Sequence, residues 1–214
     1  EPQLAARCVA AMVEAVDIPV TVKCRIGIDD HDNFKFLRHF VQKVADAGVA
    51  SLAVHARIAI LEGLTPKQNR EIPPLNYDRV YHLKEELPKL EIVLNGGVRS
   101  IEEAIKHINR VDGVMIGRAA FEDPYILSEA DARIFADPHQ TLSRHEIARA
   151  MLPYIERNLS SGTRLNHITR HMLGLFHARP GARAWRRYLS ENVPRSGAGP
   201  EVIEHALKLV PDAA

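Results

Sequence analysis

The sequence predicts an α/β fold with a parallel sheet, followed by an all-helical segment. Three observations carry this expectation. Short apolar, β-branched runs at 20–26, 51–56, 91–94 and 112–117 alternate with helical patterns, as buried parallel strands and their crossover helices do. From about residue 143 the strand-like runs stop and helical patterns follow one another directly. The charge shifts at the same place: residues 1–142 hold 17 Lys and Arg against 21 Asp and Glu, whereas residues 143–195 hold ten arginines, no lysine and three glutamates.

Taken in order, residues 3–16 read as an Ala-rich amphipathic helix. Ile18-Pro19 breaks it, and VTVKCRI at 20–26 reads as a strand closed by Gly27. Asp32 or Asn33 is placed to cap a helix over 34–47, and Gly48 stands where a C-cap belongs. SLAVHA at 51–56 is the second strand. The connection 57–77, with Gly63, Pro66, Pro73 and Pro74, is too long for an ordinary βα loop, which points to a functional one. A helix over 78–87 precedes a third strand that ends in Asn95-Gly96-Gly97. Ser100 caps a helix over 101–109, with Glu103 at the capping-box position. The fourth strand closes at Gly117, and Arg118 begins a short helix. Pattern alone leaves a doubly wound sheet and a barrel both open, since four strands make half of an eight-stranded barrel. Helices over 143–160, 163–178, 181–192 and 200–210, punctuated by Pro138, Pro180, Pro194 and Pro200, form the second part. The domains are therefore placed at 1–140 and 141–214.

Composition removes several classes of function. No apolar run approaches the ~20 residues that span a bilayer. Residues 1–15 lack the apolar core and basic flank of a signal peptide. Two cysteines, Cys8 and Cys24, build neither a disulfide framework nor a four-ligand zinc site. The expectation is a cytoplasmic protein with reduced thiols, no metal, no membrane and no protein partner. The chain opens at Glu1 directly into a helical pattern, so it is expected to be a fragment.

In both α/β architectures ligands gather at the carboxyl ends of the strands. There the first strand delivers Lys23 and Arg25 on one face, the second His55 and Arg57, the third Asn95-Gly96-Gly97, and the fourth Gly117-Arg118. Glycines in two consecutive βα turns let backbone N–H groups approach an anion, and a following helix start adds aligned dipoles. That matches the phosphate site after strands seven and eight of a barrel; the plainer alternative is that the glycines only turn the chain. Lys23 is expected in the mouth of the sheet as a buried cation that needs an anion, with a structural ion pair as the alternative. His55 reads either as a ligand contact or as a hydrogen-bonded core residue. Lys67 and Arg70 in the long loop read as RNA contacts or as a solvated charge run. Arg183, Arg186 and Arg187 fall at helical spacings of three and four and form a cationic stripe suited to phosphate. Trp185 and Tyr188 are expected to pack the helix rather than stack a base.

At these residues the chain resembles the tRNA-dihydrouridine synthases, specifically their A subfamily. The matching stretches are PVTVKCRIGIDD (19–30), VHAR (54–57), GLTPKQNREIPPLNYDRVYHLK (63–84), NGG (95–97), VDGVMIGRAAFEDPYIL (111–127) and HMLGLFHARPGARAWRRYL (171–189). The resemblance implies the C-terminal half of an FMN-binding (β/α)8 TIM barrel followed by a small helical tRNA-binding domain. It implies reduction of uridine to 5,6-dihydrouridine in the tRNA D-loop, with NADPH as reductant. Lys23, His55, Asn95, Gly96, Gly97, Gly117 and Arg118 would then contact FMN. Lys67, Arg70, Arg183 and Arg186 would contact tRNA, with Arg25 and Arg57 as weaker candidates near the substrate. No catalytic residue is expected here, because the family's proton-donor cysteine belongs to the N-terminal half of the barrel. Cys8 lies on a helix and Cys24 faces away from Lys23, so neither replaces it. Ile58 also departs from the family, which commonly has lysine there. The fragment alone is expected to bind FMN poorly and not to catalyse.

Two other readings fit part of this pattern. One is another FMN barrel oxidoreductase acting on a free pyrimidine, which would have no use for the arginine-rich segment. The other is a non-catalytic RNA-binding protein on a degenerate barrel.

Overall fold

The computed structural model describes residues 1–137 and 139–212; Pro138, read above as helix punctuation, and residues 213–214 lie outside the described residues. The chain divides into two compact units, 1–117 and 118–214.

The first unit runs α1 (Pro2–Ala15), β1 (Thr21–Arg25), α2 (Phe34–Asp46), β2 (Ser51–His55), α3 (Tyr77–Glu86), β3 (Glu91–Asn95), α4 (Ile101–Ile108) and β4 (Gly113–Met115). Its four strands are parallel, in the order β1-β2-β3-β4, with β1 and β4 at the edges. Each crossover carries a helix, as parallel strands require. The strand pleat sorts the side chains. Leu52, Val54, Ile92 and Leu94 point to the helix-covered face and are fully buried, packed with Leu37, Val41 and Val44 of α2 and Val80 and Leu83 of α3. Each such side chain contributes about 1.5–3 kcal/mol by leaving water. The opposite face carries Lys23, Arg25, His55 and Asn95.

Local chemistry sets the helix ends. Asn33 caps α2 by accepting from the Phe36 amide at 2.8 Å. Asn76 caps α3 in the same way through Arg79, so α3 starts at Tyr77 rather than at 78. Ser100 caps α4 through the Glu103 amide, while the Glu103 carboxylate reaches back to the Arg99 amide at 2.6 Å. Gly48, after α2, has φ +98°, a conformation glycine adopts without steric cost.

The described elements of the second unit are helical: α5 (Arg118–Glu122), a 3₁₀ turn (Pro124–Leu127), α6 (Ala130–Ile134), α7 (Arg144–Ala150), α8 (Leu152–Ser160), α9 (Leu165–Thr169), α10 (Ala182–Asn192) and α11 (Glu201–Leu207). Three expected helices are shorter here, 200–210 being helical over Glu201–Leu207. The run 143–160 is broken between Ala150 and Leu152, where Pro153 in the first turn of α8 has no N–H for a continuous ladder. The run 163–178 is helical only to Thr169. Beyond it the chain bends so that Gly174 lies against the Glu122 carbonyl, where a Cβ would come within 2.2 Å. The core is built on Trp185, fully buried, with its ring 4.9 Å from Phe176 and its Nε1 donating to Met172 O at 3.2 Å. Composition changes near 140, yet residues 118–137 belong to this second unit. Arg144 shows why: it pairs with Asp123 at 3.0 Å, donates to Leu175 O and stacks over Tyr125.

Candidate functional site

The strand register brings three of the sequence candidates, Arg25, His55 and Asn95, to one end of the sheet, with Lys23 one layer below. Arg25, His55, Asn95 and Met115 stand abreast across β1 to β4, with Lys23, Ala53, Val93 and Gly113 in the layer below. The turns after β3 and β4 therefore leave the sheet side by side. The Asn95 side chain ties them together by donating Nδ2 to Met115 O at 2.8 Å, and Asn95 is itself buried.

The glycines of the two turns serve different ends. Gly96 and Gly97 have φ of +114° and +77°, values that L side chains adopt only with strain. A Cβ on Gly97 would fall 2.5 Å from Leu75 Cδ1 and 2.8 Å from the Tyr77 hydroxyl, and one on Gly96 would fall 3.3 Å from the His55 ring. The Tyr77 hydroxyl donates to Gly96 O at 2.8 Å, and burial raises its pKa, which keeps that proton in place. Turn geometry and packing thus account for Gly96 and Gly97. Gly117 is different: its φ lies outside the left-handed range, and nothing stands within 4 Å of where its Cβ would be. Neither backbone nor packing within this chain demands glycine there, and the open space is what a close-approaching anion would use. Tyr77 and Leu75 were not expected from sequence; an aromatic at the first position of a helix carries no signal that it supports a glycine turn two elements later.

His55 is buried at the end of β2 beside the Gly96 turn. Lys23 departs from its expectation: it is exposed rather than buried. Its ammonium still titrates below the usual lysine value. Partial desolvation is the main cause; Cys24 opposes it and Arg25 adds to it. Cys24 faces the helix side, and burial pushes its thiol up to about 12. Cys8 is exposed on α1.

Arg25 and Arg57 hold the long loop. Arg25 Nη1 donates to Ile58 O and Asn69 O, at 2.7 and 2.8 Å, and Arg57 Nε donates to Pro73 O at 2.6 Å. Ile58, where lysine was expected, packs its side chain against the core and near Gly27. Lys67 and Arg70 sit at the loop's 3₁₀ turn (Gln68–Arg70) and are exposed.

The family model for dihydrouridine synthase (Dus) matches residues 1–210. The chain belongs to the dihydrouridine synthase family. The tRNA-dihydrouridine(20/20a) synthase of Shewanella oneidensis is 55% identical over 210 residues, 98% of this chain and 63% of that protein. Those of Vibrio cholerae and Escherichia coli K12 are 55% and 56% identical, over 65% and 61% of their lengths. The chain thus spans about 63% of the length of the first of these relatives. A crystal structure of dihydrodipicolinate synthase from Agrobacterium tumefaciens aligns at 12% identity with a TM-score of 0.43, covering 99% of this chain and 82% of that one; so loose a likeness bears on neither activity nor ligand.

In the second unit of this Dus chain, α10 buries Ala182, Trp185 and Leu189 and exposes Arg183, Arg186 and Arg187. Tyr188 packs partly against the core. Arg144 is not part of the exposed set, since its side chain is 13% exposed and paired with Asp123. Arg118, at the start of the five-residue α5, directly follows Gly117 and is exposed. Among the described residues no cluster of His, Cys, Asp and Glu is placed to hold a metal ion, and no helix is long and apolar enough to cross a membrane.

Proposed function

We propose that this chain carries the phosphate side of an FMN site and a tRNA-holding surface of an enzyme that reduces uridine to 5,6-dihydrouridine in the tRNA D-loop. The observation that carries the reading is the pair of turns tied by Asn95, with open space at Gly117 beside them. Asn95, Gly96, Gly97, Gly117 and Arg118 would hold the phosphate of FMN. Lys23 and His55, on the same face of a C-terminal half barrel, would lie toward its ring. FMN, reduced by NADPH, supplies the hydride chemistry when bound. The residues of this chain bind and orient: a lysine near the flavin favours its anionic reduced form, and buried His55 excludes water beside the turn. Lys67, Arg70, Arg183 and Arg186 would contact the tRNA backbone, the last two from the helical second domain. No residue is assigned as proton donor: Cys24 points to the helix side with a raised pKa, and Cys8 is on α1. A cytoplasmic setting belongs to the same reading.

Two measurements test it. The chain alone should hold FMN weakly, yet at least tenfold more tightly than riboflavin, about 1.4 kcal/mol for the phosphate. It should also bind an unmodified tRNA transcript with an affinity that falls steeply with salt. Equal affinity for FMN and riboflavin, or tRNA binding indifferent to ionic strength, overturns the proposal.

A further inference from the structure

The loop that leaves β2 is long and has little apolar support. Ile58 and Leu75 pack against the core at its two ends. Between them Leu61 and Ile72 are exposed, at 67% and 57%, and Pro73 alone is buried. Ordering such a segment costs backbone entropy that burial does not offset. Hydrogen bonds do the work instead. The central one comes from β1: a single nitrogen of Arg25 donates to carbonyls 11 positions apart in the loop, Ile58 O and Asn69 O. Asn69 extends this inward, accepting from the Ile60 amide at 2.8 Å and donating to Ile60 O at 2.5 Å. Asp29, in the loop after β1, accepts from the Leu61 amide at 2.8 Å and donates its own amide to Ala59 O at 2.7 Å. The 3₁₀ turn bearing Lys67 and Arg70 is built on the segment so fixed. Arg70 and Arg57 are close enough to Arg25 to oppose its charge.

We propose that Arg25 is a positioning residue, a clamp that holds the loop after β2 so that Lys67 and Arg70 meet the RNA backbone in a fixed geometry. This rests on the reading of those two residues as tRNA contacts. The clamp acts through main-chain carbonyls, so it needs a charged, multi-donor group at residue 25 rather than contact with the substrate.

The test uses Arg25→Gln and Asn69→Ala, each alone and combined with Lys67→Ala/Arg70→Ala. Amide hydrogen exchange of residues 58–72 and filter binding of an unmodified tRNA transcript are measured on every protein. Asn69 is in a surface loop, so its variant keeps the test informative should Arg25→Gln fold poorly. Arg25→Gln and Asn69→Ala are expected to speed exchange within 58–72 while the strand amides stay protected. Arg25→Gln should weaken tRNA binding about tenfold, the scale of one charge-assisted hydrogen bond, and Asn69→Ala, which removes only neutral bonds to Ile60, about threefold. Both losses should vanish in the Lys67→Ala/Arg70→Ala background, because the clamp acts only through those residues. Unchanged loop exchange overturns the clamp. Losses that add fully in the combined variants overturn it too, since they mean that Arg25 touches RNA itself. If Lys67→Ala/Arg70→Ala alone leaves tRNA affinity unchanged, the contact reading fails, and the clamp's purpose with it, whatever the exchange shows.

Discussion

Replacing Gly97 and Gly117 by alanine, one at a time, should separate a glycine kept for packing from one kept for a ligand. At Gly97 the new Cβ meets two penalties. Its φ of +77° is left-handed, a cost of about 1–2 kcal/mol for an L residue. The Cβ would also lie 2.5 Å from Leu75 Cδ1 and 2.8 Å from the Tyr77 hydroxyl, and overpacking of that kind costs about 1–3 kcal/mol. Together they should destabilise the first unit by roughly 2–5 kcal/mol, or on the order of 10 °C in melting temperature. At Gly117 neither penalty exists, so Ala should leave stability within about 1 kcal/mol, with a small gain from the stiffer unfolded chain. Its Cβ would instead fill the space a phosphate oxygen needs. Losing one charge-assisted hydrogen bond there costs about 1.5–3 kcal/mol, roughly 10- to 100-fold in FMN affinity. Riboflavin, lacking the phosphate, should be unaffected. Urea melts and fluorescence titrations with both flavins read all four numbers. If Gly117→Ala destabilises as much as Gly97→Ala, or weakens FMN and riboflavin alike, the assignment of the β4 turn to a phosphate is wrong.

Three other outcomes follow from the same geometry. Trp185→Ala should cost about 3–5 kcal/mol, as removal of a buried aromatic does, and should expose the second unit to proteolysis; a loss under 1 kcal/mol by urea melting would contradict the packing around Phe176 and Met172. His107 lies 2.5 Å from the Tyr81 hydroxyl through Nδ1, and burial depresses its pKa below 6.5, with Glu103 opposing and Lys106 adding to the shift. The unfolded chain then takes up the proton more readily than the folded one, so His107 favours folding above about pH 6.5 and that benefit is lost as pH falls below it. Urea midpoints should therefore drop on the acid side less in His107→Gln than in the wild type, and an identical pH profile in the two proteins would rule the mechanism out. Arg183→Ala and Arg186→Ala, both exposed on α10, should leave the melting temperature alone. Each should reduce the slope of log K against log salt for tRNA by about 0.7–0.9, and a slope unchanged in the double variant would remove α10 from the interface.

The sequence by itself determined the α/β order of the first 117 residues, the four strand ends and the exposed arginines of α10. Those features depend on periodicity, caps and turn residues that act over a few neighbours. Asn33 and Ser100 cap where their short polar side chains predict. Helical spacing puts Trp185 on the buried side of α10 and Arg183, Arg186 and Arg187 around its exposed side. What distant segments contribute is decided only in three dimensions. Pattern placed Lys23 in the sheet mouth but could not tell that it stands exposed. Gly97 and Gly117 look alike as letters, yet one is hemmed in by Leu75 of the long loop and Tyr77 at the start of α3, and the other faces open space. Arg25 is a candidate near the substrate by its place on β1, and nothing in its spacing shows that its guanidinium also holds the carbonyls of Ile58 and Asn69, 33 and 44 positions away. Arg144 is one of ten arginines in 143–195 by sequence, but only the fold shows it paired with Asp123 and stacked over Tyr125. Hydrogen bonds between residues so far apart leave no trace in local spacing, because it is the packing of the strands, not the chain between them, that brings donor and acceptor within 3 Å.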